Sequence, residues 1–318
     1  MTSFRPHPGM VLRINGTSYE FVQDPLFPHD EQEVAEIEGG EARIYQLRDL
    51  ARGTLWALKV AKPTHRGEHI ARSAAALNSY KDIPGFFLGH RICLTRKNHA
   101  ALIASLPDLE YAVFMPWAPI PPWRTWAGLM FDKAASARYT ASQARDLAMA
   151  TAHVLWRLEK GGLSHTDIAG GNLILAPDYK RVELLDVEGL YIPDAPPPRL
   201  RSRGSPGYQH RGLDQRGQYR PEGDRFAGAI LLTEMLTWWA PLVRAHTPDD
   251  ADSLFQPHEL QAAGSARWHA VRNALWSICP TALALFDQAW ASDDLAACPD
   301  FSQWCRCFAQ ASETSTDG

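Results

Sequence analysis

The chain has 318 residues, of which 45% are hydrophobic and 21% charged, and a formal net charge of -4. That length suits one large domain or two lobes sharing a cleft. The small net charge gives no global pull toward nucleic acid or an anionic membrane surface, so neither is expected as a partner.

In chain order, "MVLRINGTSYEFV" alternates on both sides of Asn15-Gly16 and predicts a β-hairpin, read as an N-terminal extension over residues 1–34. "EVAEIEGGEARIYQLRD" and "TLWALKVAK" predict further strands around the Gly39-Gly40 pair. "GEHIARSAAALNSY" predicts a helix, and "AALIASL" and "YAVFMPW" read as strands. The prolines of "MPWAPIPPW" stop any regular element. Beyond them "SQARDLAMATAHVLWRLEKGG" predicts a helix with a glycine stop, then come two short β runs, "NLILA" and "VELLDVEG". A Pro- and Arg-rich loop carrying Ser202 and Ser205, candidate phosphorylation sites, leads to an apolar helix around residues 224–239. Glu234 interrupts that apolar run, which reads as a buried helix rather than a membrane span. The rest reads as helical, with a disordered tail over 311–318. No apolar signal segment opens the chain, and the five cysteines form no C-x-x-C pair, so reduced thiols in a cytoplasmic protein are expected rather than a zinc site.

Four polar residues stand out against this pattern. Lys59 lies in "WALKV", a strand otherwise apolar, where a lysine is costly unless an anion meets it. Asp167 and Asn172 sit between a helix and a β run in "HTDIAGGNLIL". Asp186 opens the turn "DVEG" after an apolar strand. Singly, each fits a turn, a cap or a solvated face. Together they supply what transfer of a phosphoryl group from ATP requires: a cation for the phosphates (Lys59), hard oxygen ligands for Mg²⁺ (Asp186 and the Asn172 amide oxygen), and a carboxylate (Asp167) to orient the attacking hydroxyl and take its proton.

In this order "ALKV", "HTDIAGGN", "DVEG", "GSPGY" and "GDRFAGAILLTEML" resemble the strand lysine, catalytic loop, metal aspartate, activation-segment end and following buried helix of the protein kinase superfamily, with Asp224 at the usual start of that helix. The resemblance implies an α+β, two-lobed fold: a β-rich lobe and hinge over 35–118 and a larger helical lobe over 119–310. It implies Asp167, Lys59 and Asn172 as catalytic residues and Asn172 and Asp186 as magnesium ligands. ATP would be held by Gly39, Gly40, Ile44, Ala57, Lys59, Met115, Ala118 and Leu173, with Ala57 and Leu173 flanking the adenine and Ala118 as hinge donor. The implied activity is transfer to Ser or Thr of a protein substrate.

The departures from the family are specific. Ala42 replaces the third glycine of the phosphate loop. Thr166 replaces the arginine of the usual His-Arg-Asp, which argues against switching by activation-loop phosphorylation. Ala169 stands where Ser/Thr kinases carry a lysine, and Glu68, with Glu41 the expected partner of Lys59, lies closer to it in sequence than is usual. A small-molecule kinase of the same fold and a nucleotide-binding pseudokinase therefore stand as alternatives.

Overall fold

The structure is a computed structural model, described over residues 4–28, 33–195, 197, 202–215, 217–248 and 252–313. The protein is α+β, and its chain divides into two compact units, Met1–Asp82 with Phe86–Ala118, and Ile83–Gly85 with Pro119–Gly318.

In the first unit β1 (Val11–Ile14) and β2 (Thr17–Phe21) meet at Asn15-Gly16, whose φ values of 49° and 85° are those of the two-residue turn that suits strand twist. Next come β3 (Glu36–Glu38), β4 (Ala42–Asp49), β5 (Leu55–Ala61), α1 (Glu68–Asn78), β6 (Ile92–Cys93), α2 (Arg96–Ser105) and β7 (Val113–Pro116). The strands form one antiparallel sheet in the order β1-β2-β4-β5-β7-β6, with β3 also paired to β4. The N-terminal hairpin therefore continues the same sheet. Alternate residues supply the core: Tyr45 and Leu47 from β4, Leu58 and Val60 from β5, and Phe114 from β7 pack with Leu12, Ile14 and Phe21.

One element departs from the sequence reading. The "AALIASL" run lies in α2, not in a strand. Ile103 is buried, and Leu102 and Leu106, four apart, pack partly against the same core. So short an apolar run does not separate the helical from the strand period, and Leu106 itself lies just past the end of α2.

In the second unit β8 (Arg124–Thr125), α3 (Trp126–Phe131), α4 (Lys133–Arg138) and α5 (Ala141–Lys160) come first. Thr140 and Gln143 close a reciprocal cap at the start of α5, and Gly161 follows its end. β9 (Leu173–Leu175) and β10 (Val182–Leu184) form an antiparallel pair to which β8 adds a third strand. α6 (Arg225–Thr237) is buried from Phe226 onward, on every face, as a helix at the centre of a core must be. It packs against α5, α8 (Ala266–Ile278) and α9 (Pro280–Trp290), with α7 (Pro241–Ala245) between α6 and α8 in the chain. α10 (Phe301–Glu313) extends three residues into the stretch read as a tail; residues 314–318 lie outside the described residues. Among the described residues no helix is long and apolar enough to cross a membrane.

Candidate active site

The residues singled out in the first unit fall on one face of its sheet. Lys59 on β5 lies opposite Ile44 on β4 and Val113 on β7, and Ala57 lies opposite Met115. Neighbours across strands, and residues two apart along one, point the same way, so Ile44, Ala57, Lys59 and Met115 share the face turned away from the Leu58–Val60 core. Gly39 and Gly40 form the exposed turn between β3 and β4, where the Gly39 N–H donates to the Ala42 carbonyl at 2.9 Å. Ala118 is half-buried at the end of the unit's chain, just after Trp117, whose N–H donates to the Leu55 carbonyl. Glu68 opens α1 and pairs with Arg72 at 3.6 Å, while Glu41 lies 3.9 Å from His65.

The residues singled out in the second unit gather around the loop between α5 and β9. Asp224, at the start of α6, accepts the backbone N–H of His165 at 2.5 Å and of Thr166 at 2.8 Å. The His165 ring is buried and its Nε2 lies 2.6 Å from the Leu185 carbonyl; a carbonyl only accepts, so Nε2 carries the proton. Thr166 has a φ of 67°, and its hydroxyl donates to the Gly189 carbonyl at 3.0 Å, tying the loop to the "DVEG" turn. His165 thus ties the loop to Leu185, and Thr166 adds a second tether at Gly189.

Asp167 is half-buried, and its Oδ1 accepts the Ser205 hydroxyl at 2.8 Å. The Asn172 amide nitrogen donates to the Asp167 carbonyl at 2.9 Å, leaving its Oδ1 turned the other way. The Leu185 N–H donates to the Asn172 carbonyl at 2.8 Å, and Leu173 pairs with Leu184, so Asn172 and Asp186 stand at the same end of the β9–β10 pair. Asp186 is exposed, in left-handed backbone with φ 51°. Leu173 is buried at the start of β9.

A second layer holds the segment that delivers Ser205. The Tyr208 hydroxyl donates to Glu234 Oε2 at 2.7 Å and accepts the Gly170 N–H at 3.1 Å. Glu234 also accepts from Trp126 Nε1 at 3.0 Å and, through Oε1, from the Leu254 N–H at 2.6 Å. The sequence pattern singled out neither Trp126 nor the Tyr208 side chain; the signal was Glu234 itself, a lone carboxylate in an apolar helix, which must find donors. Gly207, with a φ of 84°, lets this segment pass close to Ser253, where an added Cβ would collide with the Ser253 side chain and with the Phe255 carbonyl. Gly207→Ala is therefore expected to cost about 2–4 kcal/mol, combining left-handed strain with overpacking. Urea unfolding reads the loss, and an unchanged midpoint would contradict this packing.

Burial pushes the Glu234 carboxyl up to about 7, against the opposing pull of its three donors. A carboxyl raised on folding stabilises the fold fully below its unfolded value near 4.5, and that contribution is lost as pH rises through about 7. The shift corresponds to roughly 3 kcal/mol. Glu234→Gln is expected to flatten stability against pH between about 4.5 and 7, a window set by that same shift. An unchanged slope in urea titrations across that range would show that Glu234 does not titrate there.

No protein-family model matches this chain, and no curated protein matches its sequence. The functional reading therefore rests on what these groups can do. A carboxylate already accepting an alcohol hydroxyl has the geometry of a base toward a serine-like nucleophile. Among the described residues no three His, Cys, Asp or Glu side chains gather into a metal cage. Asp186 and the Asn172 side-chain oxygen, at the same end of the β9–β10 pair, are hard-oxygen donors of the kind Mg²⁺ takes beside water and phosphate oxygens. Ser202, the other serine of that loop, accepts the Gly204 N–H at 3.0 Å; Arg199 and Arg201 lie outside the described residues.

Proposed function

We propose that this chain is an ATP- and Mg²⁺-dependent protein kinase that phosphorylates Ser or Thr on a protein substrate, its two units corresponding to the lobes of a kinase-like fold. The observation that carries the reading is the hydrogen bond from the Ser205 hydroxyl to Asp167 Oδ1 at 2.8 Å, on a loop pinned by Asp224. A carboxylate that accepts one alcohol hydroxyl in this way can accept another from a substrate and take its proton. Asp167 then accepts the proton as the substrate oxygen attacks the terminal phosphorus of ATP, the bond from that phosphorus to the bridging oxygen breaks, and ADP leaves. Lys59, half-buried in an otherwise apolar strand, supplies positive charge to the phosphates. Ile44, Ala57 and Met115, on the same sheet face, offer an apolar surface to the adenine. Asn172 and Asp186 would hold the Mg²⁺, which neutralises phosphate charge when bound.

The test is calorimetric titration with Mg-ATP. The wild type is expected to bind. Lys59→Met is expected to bind about 10–100-fold more weakly, the worth of one charge-assisted contact. Absence of binding by the wild type, or equal binding by the variant, would defeat the reading. Small alcohols and peptides offered as acceptors separate a small-molecule kinase from a protein kinase.

A further inference from the structure

Outside this site, two thiols face each other inside the helical unit. Cys279 immediately precedes α9 and Cys307 lies on α10; their sulfur atoms are 3.3 Å apart, and the two residues are 4% and 3% exposed. The other cysteines stand differently. Cys298 Sγ lies 3.1 Å from the Ser292 hydroxyl, while Cys93 and Cys305 are half-buried. Cys305 precedes Cys307 by two residues on α10, which turns it to another side of the helix.

We propose that Cys279 and Cys307 are an oxidative modification site, a dithiol that hydrogen peroxide converts to a disulfide joining the start of α9 to α10. A disulfide needs sulfurs about 2.05 Å apart, a small approach from the observed contact, and it needs no exchange of partners. The burial of both residues selects the oxidant class. Burial this complete disfavours attack on a bulky disulfide such as oxidised glutathione, whereas peroxide is hardly larger than water.

Cys279 is the attacking sulfur. The bond from the Cys307 thiol, and then the Ala282 and Thr281 amides at the start of α9, hold it below the usual thiol range in spite of its burial. Cys307 is raised, first by giving that bond and then by burial. The Cys279 thiolate attacks one peroxide oxygen, the O–O bond breaks, and hydroxide leaves and is protonated to water. The Cys307 sulfur then attacks the Cys279 sulfenic acid, the S–O bond breaks, and a second water leaves. Overall two thiols lose two protons and two electrons, and one peroxide becomes two waters.

The experiment treats the native full chain with hydrogen peroxide, denatures it in excess N-ethylmaleimide, and maps non-reduced peptides by mass spectrometry. The expected result is a Cys279–Cys307 cross-linked peptide, absent after dithiothreitol, with Cys93, Cys298 and Cys305 alkylated. Cys305→Ser should form the same cross-link, and Cys307→Ser should not. Alkylation of Cys279 and Cys307 after treatment, or a cross-link through any other cysteine, would overturn the proposal. None of these readouts involves phosphoryl transfer, so the result stands apart from the proposed activity.

Discussion

Asp167→Asn is expected to lower phosphoryl transfer by roughly 10²–10⁴-fold, the usual share of a general base. Binding of Mg-ATP and the unfolding midpoint should stay near the wild-type values. The amide oxygen of asparagine can still accept the Ser205 hydroxyl, and the Asp167 backbone carbonyl, unchanged by the substitution, still accepts the Asn172 amide. What is lost is the capacity to take a proton. Steady-state rates with saturating nucleotide read the effect. A variant transferring phosphate at the wild-type rate would remove Asp167 from the chemistry, and one that failed to bind nucleotide would give it a structural role instead.

The second large effect is on stability. Asp224 is 3% exposed and accepts two backbone N–H groups, those of His165 and Thr166, at the start of the loop that carries Asp167. Burial raises its carboxyl to about 6, with the nearby His165 and the two N–H groups opposing the rise. It is thus ionised at pH 7, and each donor meets a charge. Asp224→Ala leaves two buried N–H groups unpaired and should cost roughly 3–5 kcal/mol, at the charge-assisted end of hydrogen-bond energies. Asp224→Asn recovers only part of this, since its NH₂ must confront one of the two donors. Urea unfolding at pH 7 measures both variants. A loss below ~1 kcal/mol for the alanine would mean that water replaces the carboxylate and that the loop is held elsewhere.

The same physics separates what was legible in the sequence from what was not. Asn15-Gly16 announced its turn because few residue pairs tolerate two positive φ values. The shared face of Ile44, Ala57, Lys59 and Met115 follows from strand alternation once the register is known. The central place of α6 followed from an apolar run that Glu234 alone interrupts with a charge after Arg225. Local period and turn chemistry reached that far. They failed at α2, where a short apolar run fits both periods. They also could not pair groups distant in sequence. Glu234 finds Trp126 across 108 residues and Tyr208 across 26, and Ser205 reaches Asp167 across 38. Glu234 signalled only that some donor must exist, and Ser205 stood out only as a candidate phosphorylation site. Tertiary packing chose both sets of partners.

Intact-mass spectrometry of the purified protein after incubation with Mg-ATP, run beside Asp167→Asn, bears most directly on the proposed chemistry. Phosphate increments on the wild type and none on the variant are the predicted result. Equal increments on both, or none on the wild type, would contradict a protein kinase that uses Asp167 as its base.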